Sequence, residues 1–139
     1  MNPLITTDEL AAELAAGSKL VLADVRWSLG GPPGRPAFEA GHLPNAGFVD
    51  LETELTTHAT TGGRHPLPDP SVFATAMRRL GVSAGTSVVV YDAATSVAAS
   101  RLWWLLTDAG HQRVRVLDGG FAAWQRAGQP LETGPAHPR

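Results

Sequence analysis

The run Ser87-Val88-Val89-Val90-Tyr91 constrains this chain most, because it is apolar and largely β-branched up to Asp92. A strand with one wet face alternates polar and apolar residues. A strand without that alternation is covered on both faces, as in a parallel sheet between two helical layers. Lys19-Leu20-Val21-Leu22-Ala23-Asp24-Val25 and Val114-Arg115-Val116-Leu117 read the same way. Helical patterns lie between these runs. Thr6 and Glu9 have capping-box spacing, Leu10, Ala11, Leu14 and Ala15 recur on one face, and Gly17 offers an exit. Asp69-Pro70 pairs an N-cap with Pro at the first helical position, Phe73, Met77 and Leu80 share a face, and Gly81 closes that helix. A further helix carries Ala98, Leu102, Leu105 and Leu106 to about Gly110. Asp118-Gly119-Gly120 turns into a last helix bearing Phe121 and Trp124. The alternation predicts an α/β domain of three α/β/α layers with a mainly parallel central sheet.

The other segments read as connections. Ser28 to Pro36 is a breaker-rich loop, either a mobile flap or a surface turn, and Phe38 to Gly41 makes one helical turn. Gly47 to Asp50 is a short strand, and Glu52 to Pro68 is an irregular connection long enough to suggest a function. Trp104 and Trp124 are expected in the core, with Trp103 against a partner domain.

The 139 residues suit one domain, and 43% hydrophobic with 17% charged residues excludes a disordered segment. A net charge of -2, with Arg78-Arg79 and Arg113/Arg115 lacking interleaved aromatics, argues against nucleic acid as a partner. No apolar run reaches the roughly 18 residues of a membrane span, and the first residues lack a secretory signal pattern. A cytoplasmic location without membrane attachment is the expectation. The chain has no cysteine, which excludes disulfides, thiolate metal sites and a thiol nucleophile of its own. His42, His58, His65, His111 and His137 show no ligand spacing, so no metal or cofactor is expected.

Ligands of such sheets sit at the carboxyl ends of the strands. Asp24, Asp50, Asp92 and Asp118 each end a predicted strand, which gathers four acids on one edge. For each of them alone, capping the following turn is the simpler role.

In Asp24-Val25-Arg26, in Gly41-His42-Leu43-Pro44-Asn45-Ala46 and in Leu117-Asp118-Gly119-Gly120-Phe121-Ala122-Ala123-Trp124, the chain resembles the rhodanese (sulfurtransferase) family. The likeness covers about the whole chain. It is nearest to the amino-terminal, non-catalytic half of the two-domain thiosulfate and 3-mercaptopyruvate sulfurtransferases. Arg64-His65-Pro66-Leu67-Pro68, Leu80-Gly81-Val82 and Arg101-Leu102-Trp103-Trp104 carry that closer similarity. The resemblance implies a rhodanese-like domain over residues 1–132, with 133–139 opening an interdomain linker or tail.

In catalytic members, a cysteine follows the central strand and carries a persulfide within a ring of backbone N–H groups. Asp92 occupies that position here, so the resemblance implies no catalytic residue on this chain. Asp92 would satisfy the amides of its own loop, and Arg101 would pair with a strand-end carboxylate. Asp24, Arg26 and His42, with Asp118, Gly119 and Gly120, would be structural. Glu52 and His65 match an acid and a histidine that line the cleft in mercaptopyruvate-type enzymes. The implied partner is a cysteine-bearing catalytic rhodanese domain, on the same gene or on a separate chain. Together they would move sulfane sulfur from thiosulfate or 3-mercaptopyruvate to cyanide or a thiol. The alternative is a stand-alone inactive module that binds or regulates. A phosphatase of related fold is excluded, since it needs a Cys-x5-Arg loop.

Overall fold

A computed structural model of the chain describes residues 2–27, 31–56 and 67–136. In chain order the elements are β1 (Leu4–Ile5), α1 (Thr7–Ala15), β2 (Leu20–Asp24), α2 (Gly34–Ala40), β3 (Gly47–Phe48), α3 (Leu51–Glu54), α4 (Pro70–Leu80), β4 (Ser87–Tyr91), α5 (Val97–Asp108), β5 (Val114–Leu117) and α6 (Gly120–Arg126). The strands form one sheet in the order β1-β5-β4-β2-β3, and every pairing is parallel. No helix among the described residues is long and apolar enough to cross a membrane.

The two-sided burial read from β4 is visible residue by residue. Val88 and Val90 point into a core shared with α3, α4 and α5, while Val89 and Tyr91 point into a second core. That second core holds Leu10 of α1, Phe38 of α2 and Trp124 of α6. β2 alternates in step, with Val21 and Ala23 on the first face and Leu22 on the second. A fully buried Val, Leu or Phe side chain contributes about 1.5–3 kcal/mol, so the central strands anchor both layers.

The capping signals hold. Thr6 and Glu9 form the reciprocal box on α1, with Thr6 Oγ1 accepting from Glu9 N–H at 3.1 Å and Glu9 Oε1 accepting from Thr6 N–H at 2.9 Å. Asp69 accepts from Ser71 N–H at 2.9 Å and caps α4.

Three expectations need correction, and one element, β1, had no counterpart among them. β1 has only two residues, too few for any periodicity, and it adds an edge strand beside β5. α2 begins at Gly34, so the breaker-rich loop ends earlier than Pro36. Pro36 falls in the first turn, where the missing N–H has no intrahelical partner to lose. Leu51–Glu54 is helical, because Asp50 Oδ1 accepts from Glu52 N–H and Glu54 Oε1 accepts from Asp50 N–H. Trp104 is not in the core: it is 46% exposed, whereas Trp103 packs on the first core and donates from Nε1 to the Val114 carbonyl at 3.2 Å.

The segment after α6 folds back over the second layer. His42 and Glu132 form an antiparallel bridge, Trp124 Nε1 donates to the Pro130 carbonyl at 2.8 Å, and Gly134 N–H donates to the Glu39 carbonyl at 2.7 Å. The first residues of the expected linker are thus tied to the domain.

Candidate functional site

Because all strands are parallel, the acids that end them lie along one edge, and each has a distinct task. Asp92 follows β4 and is 3% exposed. Its Oδ1 accepts from Ser96 N–H at 3.0 Å and its Oδ2 from Ala99 N–H at 2.9 Å. Ser96 is the N-cap of α5 and lies in the left-handed region at φ 68, without a side-chain cap of its own. Asp92 therefore caps α5 from before the loop, and its carboxylate fills the space toward which the loop and first-turn amides converge. The helix end favours negative charge there. The expectation that this carboxylate satisfies its own loop is met.

The Gly119-Gly120 pair holds this loop from the other side. Phe121 N–H donates to the Asp92 carbonyl and Ala122 N–H to the Ala93 carbonyl, both at 2.8 Å. A Cβ on Gly120 would stand 2.5 Å from the Asp92 carbonyl oxygen, and Gly120 has φ +59. Only glycine lets the start of α6 come this near. Asp118 itself is exposed and contributes through its backbone, donating N–H to the Ile5 carbonyl at 2.8 Å.

Asp24, Arg26 and His42 form a lock across the neighbouring loops. Arg26 Nε sits 3.2 and 3.0 Å from the two Asp24 oxygens, and its Nη2 is 2.8 Å from Oδ2. Nη2 also donates to the Gly41 carbonyl, and the guanidinium lies 4.3 Å over the Phe121 ring. Burial pushes the Asp24 carboxyl above its ordinary range, against the opposing pull of Arg26 and the Tyr91 hydroxyl. Burial, with the Asp24 charge beside it, also raises Tyr91 well above a free phenol. Tyr91 thus keeps its proton, donates to Asp24 and accepts from Leu43 N–H at 3.2 Å. His42 is fully buried, stacked on Phe38 at 4.1 Å, with its ring nitrogens 2.8 Å from the Leu43 carbonyl and 3.1 Å from that of Gly134.

Arg101 departs from expectation. Its Nε and Nη2 donate to the Leu55 carbonyl at 3.2 and 2.9 Å, tying α5 to the end of α3. The strand-end acids have other work: Asp24 holds Arg26, and Asp92 holds amides. Burial alone lowers the Arg101 pKa.

Glu52 is exposed on α3 at the same edge, and its Oε1 accepts from Trp27 Nε1 at 2.7 Å. A cavity of about 320 Å³ opens beside it, lined by Arg26, Trp27, Pro33, Phe48 and Asp50 among others. His65 lies outside the described residues, and so does its pairing with Glu52. Among the described residues no group of His, Asp or Glu is arranged to hold a metal ion.

Sequence reasoning missed Tyr91 as a member of the lock, Trp27 as the partner of Glu52, and the Glu132–Gly134 contacts to His42. Tyr91 alone had a readable signal, a hydroxyl ending an otherwise apolar strand. The chemical sum is an anion cradle occupied by a carboxylate, a rigid lock beside it, and one oriented acid at the rim.

The Rhodanese-like domain family matches residues 6–127. The "Putative thiosulfate sulfurtransferase SseB" of Mycobacterium tuberculosis is 47% identical over 137 residues, covering 98% of this chain and 48% of that protein. The human 3-mercaptopyruvate sulfurtransferase is 39% identical over 127 residues, covering 88% of this chain and 42% of that protein. The crystal structure of SseA from Escherichia coli superposes with a TM-score of 0.85 at 31% identity, over 100% of this chain and 54% of that one. This chain spans about half the length of the curated relatives it matches.

Proposed function

Because the chain belongs to the rhodanese-like domain family, we propose that it is the non-catalytic half of a tandem sulfurtransferase. A second rhodanese domain supplies the cysteine that takes sulfane sulfur from thiosulfate or 3-mercaptopyruvate and passes it to cyanide or a thiol. Asp92 is the observation that carries this reading. A carboxylate whose two oxygens each accept from one amide can fill an anion cradle, but it offers no sulfur atom on which a persulfide could form. The length of the relatives and the names they carry support the same reading. Glu52, oriented by Trp27, stands at the cleft rim and, with His65, serves the thiol of the partner domain as a proton-handling pair.

The test is the thiosulfate:cyanide assay on two proteins. One is the isolated chain; the other is a chimera in which this chain replaces the matched half of the mycobacterial relative. The isolated chain is expected to form no thiocyanate and the chimera to form it. Thiocyanate from the isolated chain, or a folded chimera that forms none from either donor, overturns the proposal.

A further inference from the structure

We propose that His42 is a proton-dependent latch on the segment that follows α6, closed by the imidazolium and opened by the neutral ring. The ring is fully buried, and both of its nitrogens face backbone carbonyls. Nδ1 lies 2.8 Å from the Leu43 oxygen and Nε2 3.1 Å from the Gly134 oxygen. A carbonyl oxygen only accepts. A neutral imidazole has one N–H, so it bonds one of these oxygens and sets a lone pair against the other. The doubly protonated ring donates to both.

The surroundings set the two states against each other. His42 follows the carboxyl end of α2, where free carbonyls favour positive charge. Its ring lies flat on Phe38, with centroids 4.1 Å apart and planes 6° from parallel, and an aromatic face attracts a cation. Burial opposes the cation, and among the described residues neither ring nitrogen bonds a carboxylate. The nearby charged groups are engaged elsewhere. The Glu132 carboxylate accepts from Asn45 N–H at 2.8 Å, Arg26 pairs with Asp24 while reaching the Gly41 carbonyl, and Glu39 is exposed. The Tyr91 hydroxyl accepts from Leu43 N–H. The proton is thus held by the two carbonyls themselves, and it stays only while both are in place.

The two carbonyls are not equally fixed. Leu43 is the next residue, whereas Gly134 is 92 positions away on the returning segment. Loss of the proton keeps the shorter Leu43 bond and turns the Gly134 contact repulsive, so release falls on the segment. Gly134 N–H donates to the Glu39 carbonyl at 2.7 Å, and that bond reports whether the latch is closed. Closure takes up a proton, so it is favoured at low pH and lost as pH rises through the imidazole range. Under the functional reading above, this segment leads toward the second domain, and the latch sets its freedom. The latch itself does not depend on that reading.

Amide hydrogen exchange in this chain, between about pH 5.5 and 8, brackets an ordinary imidazole and tests the latch. The protection factor of Gly134 is expected to fall several-fold across that range, while that of Leu10, bonded to the Thr6 carbonyl within the α1 cap, holds. Nitrogen-15 spectra of the imidazole are expected to show both His42 nitrogens carrying protons at the low end and one losing its proton as Gly134 loses protection. In His42→Gln the pH dependence at Gly134 is expected to vanish; should that variant not fold, the coincidence of the two wild-type transitions decides. Gly134 protection that is flat with pH, or that falls equally in folded His42→Gln, overturns the proposal. So does a single neutral tautomer of His42 at the low end, or transitions at separate pH values. No sulfur-transfer assay enters, so failure of the functional reading leaves this result untouched.

Discussion

Asp24 is fully buried at the end of β2, bonded to Arg26 and Tyr91, and burial holds its carboxyl above the ordinary range. A carboxyl whose folded pKa exceeds its unfolded one favours the fold while protonated. That contribution is complete below the unfolded value near 3.9 and is lost as pH rises through the raised folded value. Asp24→Asn cannot ionise. The wild-type stability measured against this variant by urea unfolding is therefore expected to fall as pH rises across the acid range, and a difference that grows with pH contradicts the assignment. The motif made Asp24, Arg26 and His42 legible as a structural set, and the structure joins the first two directly. Arg101 was misread because a guanidinium nine positions after a carboxylate suggests an ion pair. One acceptor it does use, the Leu55 carbonyl, comes from a distant element and leaves no side-chain signature. Trp27 was illegible as the partner of Glu52 for the same reason: 25 residues separate them, and no periodicity links them.

At the scale of elements, the long signals were reliable and the short ones were not. α1 and α4 start and stop where caps and glycines place them, since those residues satisfy orphan backbone groups in any context. β1 and α3 could not be read from pattern, because two or four residues carry no period and their formation depends on a neighbouring strand or one reciprocal cap. The junction of α6 with the Asp92 loop is the most demanding contact. Gly120→Ala adds both a left-handed strain and a Cβ 2.5 Å from the Asp92 carbonyl, whereas Gly17→Ala at φ +81 adds strain with nothing within 4 Å. The left-handed conformation alone costs roughly 1–2 kcal/mol for a residue with a Cβ. Gly120→Ala is expected to lose clearly more than Gly17→Ala in denaturant unfolding; equal losses mean that the α6–loop approach is not tight.

For the molecule as a whole, the layered α/β/α plan followed from unbroken apolar strands, which only a two-sided sheet can bury. The inward and outward choice at Trp103 and Trp104 could not follow, because adjacent helical positions lie about 100° apart and both sit near the boundary of the buried stripe. The return of the chain over His42 was equally hidden, since a two-residue bridge has no sequence pattern. Under the proposed function the molecule is a scaffold for sulfur transfer by another domain, with its own anion cradle stoppered by the Asp92 carboxylate. Asp92→Cys tests that most directly, by titrating thiol alkylation rate against pH in the otherwise cysteine-free chain. With the Ser96 and Ala99 amides and the α5 amino end facing it, the new thiol is predicted to ionise below the ordinary cysteine value of about 8.5. A thiol that titrates at or above that value in the folded variant contradicts the cradle and the role built on it.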